Sequence, residues 1–294
     1  MKKTAAFLMA LALCVCFLGA CASEKTDGQP SSLASESTEK TGRLQEILDR
    51  GYLTVATEPY FAPNEFIDPS KSGDDRYVGS DIEFAKYIAA ELGVDLQIVP
   101  LEFGAVLSSI AEGKYDLAIS GLGYTPARAE TMLLSDGYWF PDEVGGYGLM
   151  IREEDLGTIT GADSFADKTI VAQSGSLQEL FVTNEIKEYK EFKRVSSTND
   201  AALSVTEKKA DAASVSIDWA ELYIEQNPGC GLTVVPDFLF TVGPEYSAAR
   251  IGMPLGAADL EEKINEIVAK VVESGQYDEW YAQYTEYAKE LGIE

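Results

Sequence analysis

Histidine is absent from this 294-residue sequence, and basic residues are few, with 23 Lys and Arg against 49 Asp and Glu. Without histidine the chain lacks the commonest general base and the commonest zinc ligand, which argues against hydrolases and metal sites. The formal net charge of −26 excludes nucleic acid as a partner, because phosphate binding needs a basic patch. The sequence predicts neither a metal nor a cofactor.

Long hydrophobic runs are missing as well, apart from one near the N-terminus. Lys2 and Lys3 precede an apolar run from Ala5 to Ala20, which is shorter than the roughly 20 residues of a spanning helix. This pattern predicts an export signal over residues 1–20. Residues 21–42 contain too few apolar side chains to fold and are predicted to form a flexible tether.

Cysteine is scarce too, with four in the chain. Cys14 and Cys16 lie inside the predicted signal, and Cys21 stands at its end, so Cys230 remains alone in the rest of the chain. No internal disulfide is therefore predicted, and Cys230 is interpreted as an inert turn residue.

Strand and helix patterns alternate over residues 43–294. Residues 52–57 alternate as a strand, and the run from Ser80 has helical spacing that ends at Gly93. Serines three residues before glutamates, at 80 and 176, predict helix starts, and Asp259 is predicted to cap a later helix. This order predicts an α/β fold with βαβ units, and the length allows two separate cores.

The central stretch, residues 115–128, reads YDLAISGLGYTPAR. Its apolar start predicts a short buried strand that ends in a glycine-containing loop, and Pro126 predicts a helix start with Arg128 in its first turn. A guanidinium in this position suits a carboxylate, because its planar fork matches the two oxygens. A surface arginine at a helix start is the alternative.

This stretch resembles the ligand loop of bacterial extracellular solute-binding proteins of family 3, receptors that feed polar amino acids to ABC importers. The similarity extends over residues 44–284 and includes the runs GSDIEFAKYIAAELGV, GKYDLAISG, KTIVAQSGSLQE, KKADAASVSIDWAELYIEQNPG and ESGQYDEWYAQY, in the family's order. The residues Leu18-Gly19-Ala20-Cys21 resemble a lipobox, in which the cysteine is diacylated and becomes the mature N-terminus. Both resemblances imply an extracytoplasmic, lipid-anchored protein.

The resemblance also implies a two-lobed, periplasmic-binding-protein-like fold in which each lobe is a mixed βα sheet flanked by helices. Lobe 1 is expected to be discontinuous, comprising residues 43–141 and 247–294, and lobe 2 to comprise residues 142–246. Two crossings, at 138–142 and 247–251, are expected to form the hinge about which the lobes close.

The same resemblance assigns the carboxylate-binding role to Arg128. Backbone N–H groups of two S-G turns are expected to help it, those of Ser120, Gly121, Ser176 and Leu177.

The ligand side chain is expected to contact a second group of residues. Phe61 and Phe103 match aromatic positions that pack against ligand in glutamine-binding relatives, although ordinary core packing is the alternative. Glu58 takes the place of an acid that faces the ligand side chain, or else is a solvated strand end. Gln173 is the further candidate for this side-chain pocket.

Two positions depart from the family pattern. Ser216 stands where the family usually has an aspartate for the ligand ammonium, with Asp218 two residues later, and Gly123 replaces a hydroxyl residue. A serine offers only neutral hydrogen bonds, which are weaker than charge-assisted ones, so the ammonium needs another carboxylate. Asp218 and Glu58 are the candidates.

The predicted function is therefore binding of a polar amino acid, with a cationic or amide side chain favoured, and delivery to an ABC permease by a monomer without catalysis. Two alternatives remain open at this point. One is an enzyme resembling the prephenate or arogenate dehydratases of this fold, which the missing histidine disfavours. The other is a ligand-sensing module for a separate membrane receptor.

Overall fold

The computed structural model describes residues 42–140 and 146–293. Its helices are α1 Arg43–Arg50, α2 Ser80–Leu92, α3 Phe103–Ala111, α4 Pro126–Ala129, α5 Leu177–Glu185, α6 Thr198–Thr206, α7 Ile217–Gln226, α8 Ala258–Ser274 and α9 Gln276–Leu291. Its strands are β1 Tyr52–Thr57, β2 Phe66–Ile67, β3 Tyr77–Val78, β4 Asp95–Pro100, β5 Leu117–Ala118, β6 Met132–Leu134, β7 Tyr147–Arg152, β8 Thr169–Gln173, β9 Glu191–Val195, β10 Ala212–Ser216, β11 Leu232–Val234 and β12 Gly252–Pro254.

Two five-stranded mixed sheets organise these elements. The first has the order β4-β1-β5-β12-β6, with β1 parallel to β4 and β5, and with β12 antiparallel to both its neighbours. The second has the order β11-β7-β10-β8-β9, with β8 parallel to β9 and β10, and with β7 antiparallel to its neighbours. We call the part built on the first sheet lobe 1 and the part built on the second lobe 2. The predicted α/β class is confirmed.

The end of the chain returns to lobe 1, because β12 joins the first sheet and α8 packs in the same core as β1 and α2. The two chain crossings lie side by side, since Tyr138 N donates to Ala249 O and Ala249 N donates to Trp139 O, both at 2.9 Å. The lobe boundaries at 141–142 and 246–247 remain predictions, and the first falls outside the described residues.

One of the three predicted helix caps is confirmed. The Ser176 hydroxyl accepts a hydrogen bond from the Glu179 N–H at 3.1 Å. Ser80 is instead the first helical residue of α2, and its hydroxyl contacts the Tyr277 hydroxyl at 3.0 Å. Asp259 was also predicted wrongly, because its carboxylate accepts from the Leu44 N–H at 2.9 Å and so ties α8 to α1.

Gly79 takes the position before α2 because the backbone there has φ +131, a left-handed value that side chains disfavour. A Cβ at Gly79 would lie 2.1 Å from the Asn64 carbonyl oxygen. This close approach ties the start of α2 to the loop after β1, which carries several residues of the site.

Candidate functional site

A cleft lies between the lobes, with about 870 Å³ of empty space, part of it open to solvent. Every residue predicted for the site lies on its walls: Glu58, Phe61, Phe103, Ser120, Gly121, Gly123, Arg128, Gln173, Ser176, Leu177, Ser216 and Asp218. The structure therefore brings the whole predicted set together. Direct contacts of these residues with a ligand remain predictions.

Arg128 is delivered to the cleft by the short helix α4. The Thr125 hydroxyl accepts from the Arg128 N–H at 3.1 Å, and Pro126 begins the helix, where a missing N–H costs nothing. The side chain is 5% exposed, so the surface-arginine alternative is wrong. Its Nη atoms donate to the carbonyl oxygens of Gly123 in lobe 1 and Gly175 in lobe 2, the latter at 2.7 Å.

The charge of Arg128 is not neutralised by any carboxylate of residues 42–140 or 146–293. Burial lowers the pKa of its guanidinium to about 10, which still leaves it protonated at neutral pH. Its Nε has no acceptor in the described part of the chain. A buried cation without a counter-ion is costly, and an anionic ligand would supply both the charge and the acceptor.

The N-terminus of α5 adds a second anion-binding feature. Leu177 is the first residue of this helix, is 4% exposed and lines the cleft. The first N–H groups of a helix lack intrahelical acceptors and carry partial positive charge. A Cβ at Gly123 would lie 2.6 Å from the Leu177 Cδ1, so a hydroxyl residue at this position would require the Leu177 side chain to move.

Glu58 follows β1 and is 3% exposed, so the solvated alternative is wrong. The Gln173 side-chain amide of lobe 2 donates to both carboxyl oxygens at 2.8 Å, and the same Nε2 donates to the Ser196 carbonyl at 3.0 Å. Burial raises the pKa of Glu58 to about 8; the Gln173 bond lowers it, and the charges of Glu102 and Asp200 raise it further. This part of the cleft is acidic.

Phe103 and Phe61 flank these charges. Phe103 is 6% exposed, belongs to a lobe 1 core cluster and lies 5.3 Å, centroid to guanidinium carbon, from Arg128. Phe61 packs against the lobe 2 core that contains Trp219. Each phenylalanine therefore lines the cleft and packs in a core, so the two alternatives for these residues do not exclude each other.

The turn at Ser120 and Gly121 is held in place by hydrogen bonds to other residues of the protein. The Ser120 hydroxyl donates to Glu65 Oε1 at 2.8 Å and accepts from the Glu58 N–H at 3.0 Å. The Gly121 N–H donates to Asp81 Oδ2 at 2.7 Å. These two groups therefore already have partners within the protein, and the prediction that the Gly121 N–H serves a ligand is not supported by this conformation.

Glu65 and Asp81 form a fully buried acid pair that the sequence analysis missed. Asp81 accepts from the hydroxyls of Tyr138 at 2.8 Å and Tyr277 at 2.5 Å as well as from Gly121, so its anion is well stabilised. Burial and the nearby Asp81 charge raise the pKa of Glu65 far above its usual range, and its Oε2 has no donor among the described groups. Burial raises the pKa of Asp81 as well, but the hydrogen bonds that Asp81 accepts lower it, so Glu65 is the acid of the pair that holds a proton more readily.

Replacing this neutral acid by an amide should be tolerated. Glu65→Gln keeps an acceptor for Ser120, whereas Glu65→Ala leaves buried polar groups unsatisfied and should cost about 1–3 kcal/mol in the free energy of unfolding. Because the folded pKa of Glu65 is raised, its contribution to stability is present below pH 4.5 and is lost as pH rises through the folded pKa. Urea unfolding at pH 5 and pH 9 should show a flatter pH dependence for Glu65→Gln. Equal losses in both variants would contradict the assignment.

Ser216 and Asp218 lie at the lobe 2 wall. Ser216 precedes α7 and makes no side-chain cap bond, and Asp218 is in the first turn of that helix. Among the described residues, five aromatic residues that line the cleft were not predicted as site residues: Trp139, Tyr147, Trp219, Tyr246 and Tyr281. Tyr281 belongs to α9, which reaches the cleft because the end of the chain returns to lobe 1.

Within the described residues, no group of acids and cysteines could hold a metal ion. No helix among them is long and apolar enough to span a bilayer. The predicted signal, tether and Cys21 fall outside the described residues.

Comparison with protein families gives a match to the bacterial extracellular solute-binding proteins, family 3, over residues 53–287. The chain belongs to this family. The predicted family membership is therefore confirmed, and with it an extracytoplasmic protein that binds a polar amino acid for an ABC importer.

Individual relatives are consistent with this family. The arginine-binding extracellular protein ArtP of Bacillus subtilis is 26% identical over 283 residues, covering 95% of this chain and 96% of that protein. The octopine-binding periplasmic protein of Rhizobium meliloti is 24% identical, covering 68% and 70%. Among solved structures, the substrate-binding protein AbpA of Streptococcus pneumoniae bound to L-arginine matches with a TM-score of 0.73, 29% identity and coverage of 85% of this chain and 99% of that one.

Proposed function

We propose that this family member binds a cationic amino acid of the arginine class in the cleft and delivers it to a membrane permease. The observation that carries the proposal is that one cleft contains both a buried cation without a counter-ion among the described residues, Arg128, and a buried acid, Glu58. An amino acid with a cationic side chain complements both. The relatives named for arginine support the same ligand class.

The roles follow from the charges. Arg128 and the N-terminal N–H groups of α5 bind the α-carboxylate, and Glu58 with Gln173 binds the side-chain cation. Asp218 is the acid placed to accept from the α-nitrogen, since Ser216 brings no charge. Closure of lobe 2 on lobe 1 keeps water from these pairs, which strengthens them.

A panel of amino acids tests the proposal directly. A ligand that binds the native state raises its melting temperature, and at equal concentration the tighter ligand raises it more. L-Arginine and L-lysine should raise the melting temperature of the purified protein more than L-glutamine does, and L-glutamate should raise it least. A panel in which L-glutamate stabilises as well as L-arginine would overturn the ligand class.

We also propose that binding is not followed by chemistry. The two relatives named above, for arginine and for octopine, are binding proteins, and the cleft is lined by no histidine because the chain has none. Bound ligand extracted from the protein after prolonged incubation should be recovered unchanged. Conversion of a bound prephenate-like compound would favour the dehydratase alternative.

Cys21 is proposed as the lipid attachment site of a monomer that meets its permease at the membrane, with residues 1–20 removed and residues 21–42 as the tether. Cys21→Ser should therefore release the protein from the membrane fraction or leave its signal uncleaved. Cell fractionation and intact mass determination measure both effects, with Cys230→Ser as the matched control. Normal anchoring of Cys21→Ser would contradict the lipoprotein prediction.

A further inference from the structure

Helix α7 of lobe 2 contacts lobe 1 at a place outside the cleft. Its residue Leu222 is 5% exposed and packs in a core cluster. The other buried members of this cluster all belong to lobe 1: Ala62, Phe66, Val78, Tyr284 and Ala288. Neither Leu222 nor the two members that α9 contributes line the cleft. A side chain of lobe 2 is therefore buried among side chains of lobe 1, and we call this contact the seam.

Two further contacts between α7 and the end of the chain border the seam. Lys289 Nζ of α9 lies 3.5 Å from Glu225 Oε2 of α7. A Cβ at Gly292, the residue after α9, would lie 3.8 Å from Gln226 Oε1. The ion pair is open to solvent and adds little energy, so the burial of Leu222 supplies most of the stabilisation of the seam.

Each side of the seam is fixed to its own lobe. The Tyr284 hydroxyl of α9 donates to Glu83 Oε1 at 2.8 Å, and the Tyr287 hydroxyl donates to Asp68 Oδ2, so α9 is attached to lobe 1. Helix α7 connects β10 and β11 of the second sheet and so belongs to lobe 2. Rotation of one lobe against the other therefore displaces Leu222 relative to the cluster in which it is buried.

The seam occurs together with direct bonds across the cleft. Gln173 of lobe 2 donates to the Glu58 carboxylate of lobe 1 at 2.8 Å, and Arg128 of lobe 1 donates to the Gly175 carbonyl of lobe 2 at 2.7 Å. The seam thus belongs to a conformation in which the lobes touch. Because the seam is made of protein side chains alone, its stabilisation is available whether or not a ligand is bound.

We propose that the seam is a closing device: burial of Leu222 against lobe 1 holds the lobes together in the ligand-free protein, and opening exposes this side chain. Helix α7 begins at the cleft wall, where Ser216 and Asp218 lie, so the seam also holds these two residues opposite lobe 1. A ligand that needs the closed state binds in proportion to the population of that state, so the seam raises the apparent affinity. This proposal depends on no particular ligand.

Small-angle X-ray scattering of the purified, ligand-free protein tests the proposal with Leu222→Gln. The amide would lack partners in the apolar cluster but suits an exposed helix, so closing should become about fivefold to a hundredfold less favourable. The radius of gyration should therefore exceed that of wild type. Leu203→Gln is the matched control, because Leu203 is a 48% exposed leucine on α6 of lobe 2 that does not line the cleft. It should keep the wild-type radius.

A carbodiimide cross-link reports on the same contact. The reagent should join Lys289 to Glu225 in the wild-type protein, as an amide that peptide mass spectrometry detects, and the yield should fall in Leu222→Gln. Leu222→Ala, a milder change, should shift the radius and the yield in the same directions. Saturating L-arginine should restore both values, and its affinity should fall by less than the closing equilibrium does, because only the lost fraction of closed protein counts.

Unchanged radii and yields in both ligand-free variants would overturn the proposal. A Leu222→Gln protein that does not fold would overturn it as well, because the proposal places position 222 on the surface of an open but folded protein. If L-arginine does not bind even to the wild type, the proposed ligand class is wrong, and the scattering of the ligand-free proteins still decides on the seam.

Discussion

Arg128→Ala is expected to lower the affinity for L-arginine by about two to nearly four orders of magnitude. Removing one partner of a buried charge pair costs about 3–5 kcal/mol, because the other charge stays desolvated, and about 1.4 kcal/mol corresponds to a factor of ten. Arg128→Lys should also lose much of the affinity, because an ammonium cannot reproduce the two parallel bonds of a guanidinium. Titration calorimetry at pH 8 is the measurement.

The same substitution should leave the ligand-free protein no less stable. Arg128 is a desolvated charge that has carbonyl partners but no counter-ion among the described residues, so its removal takes away a cost as well as two hydrogen bonds. The melting temperature without ligand should therefore stay close to that of wild type while the ligand-induced rise disappears. This contrast separates a binding role from a structural one.

Arg76→Ala is the matched control for charge, because Arg76 is an exposed arginine of the same lobe that does not line the cleft. Its affinity for L-arginine should equal that of wild type. An Arg128→Ala affinity within about threefold of wild type would refute the carboxylate-binding role. A large drop in the melting temperature of ligand-free Arg128→Ala would indicate that the bridge between Gly123 and Gly175 is mainly structural.

The site residues that are positioned by their neighbours in sequence could be predicted from the sequence alone. The start of the helix that carries Arg128 is set by Thr125 and Pro126, and the start of α5 at Leu177 by the cap at Ser176, so a short-range pattern suffices to predict both. The helix that presents Arg128 starts at the predicted proline. Glu58 also lies where the end of a predicted strand places it.

Long-range partners could not be predicted in the same way. Ser80 was interpreted as a cap, yet Tyr277, nearly two hundred positions later, binds its hydroxyl. Glu65 gives no local sign that it is fully buried, because its burial depends on Asp81 and Ser120. Short strands such as β5 and β12 are too brief for alternation to appear, and they exist because their neighbours in the sheet pair with them.

The acid pair also connects the first chain crossing, where the hinge is predicted, to the turn at Ser120 and Gly121. Asp81 accepts from Gly121 in that turn and from Tyr138 in the first chain crossing. A displacement of Tyr138 at this crossing is therefore expected to disturb the Asp81 carboxylate that holds the turn. A buried polar network of this kind is costly when its hydrogen bonds are lost.

Glu58 is expected to make binding of L-arginine strongly pH-dependent. Its pKa without ligand is raised to about 8, mainly by burial, and only the ionised carboxylate pairs with a guanidinium. Below pH 8 binding therefore releases a proton, so the affinity should rise about tenfold per pH unit from pH 6 and level off above pH 8. L-Glutamine, whose amide can bond to either form, should show a nearly flat profile.

The stability of the ligand-free protein should change in the opposite direction. A carboxyl whose folded pKa exceeds its unfolded value binds protons more tightly in the folded state, so stability falls as pH rises from about 4.5 to about 8. The groups that act on Glu58 are Gln173, Glu102 and Asp200. The guanidinium of bound L-arginine should reverse this fall of stability with rising pH, because it stabilises the ionised form of Glu58.

Glu58→Gln should abolish the pH dependence and weaken L-arginine and L-lysine more than L-glutamine or L-glutamate, since the charge partner of the side chain is lost. Glu102→Gln is the matched control, because Glu102 is exposed and acts on Glu58 only through its charge; its profile should keep its slope and shift slightly to lower pH. Calorimetry in buffers of different ionisation enthalpy counts the released protons. If Glu58→Gln instead weakens every amino acid equally, Glu58 binds the α-ammonium, and the side-chain pocket is set by Gln173 and the two phenylalanines. An L-arginine affinity that does not vary between pH 6 and pH 8 would contradict both roles, because either of them requires Glu58 to lose its proton when ligand binds.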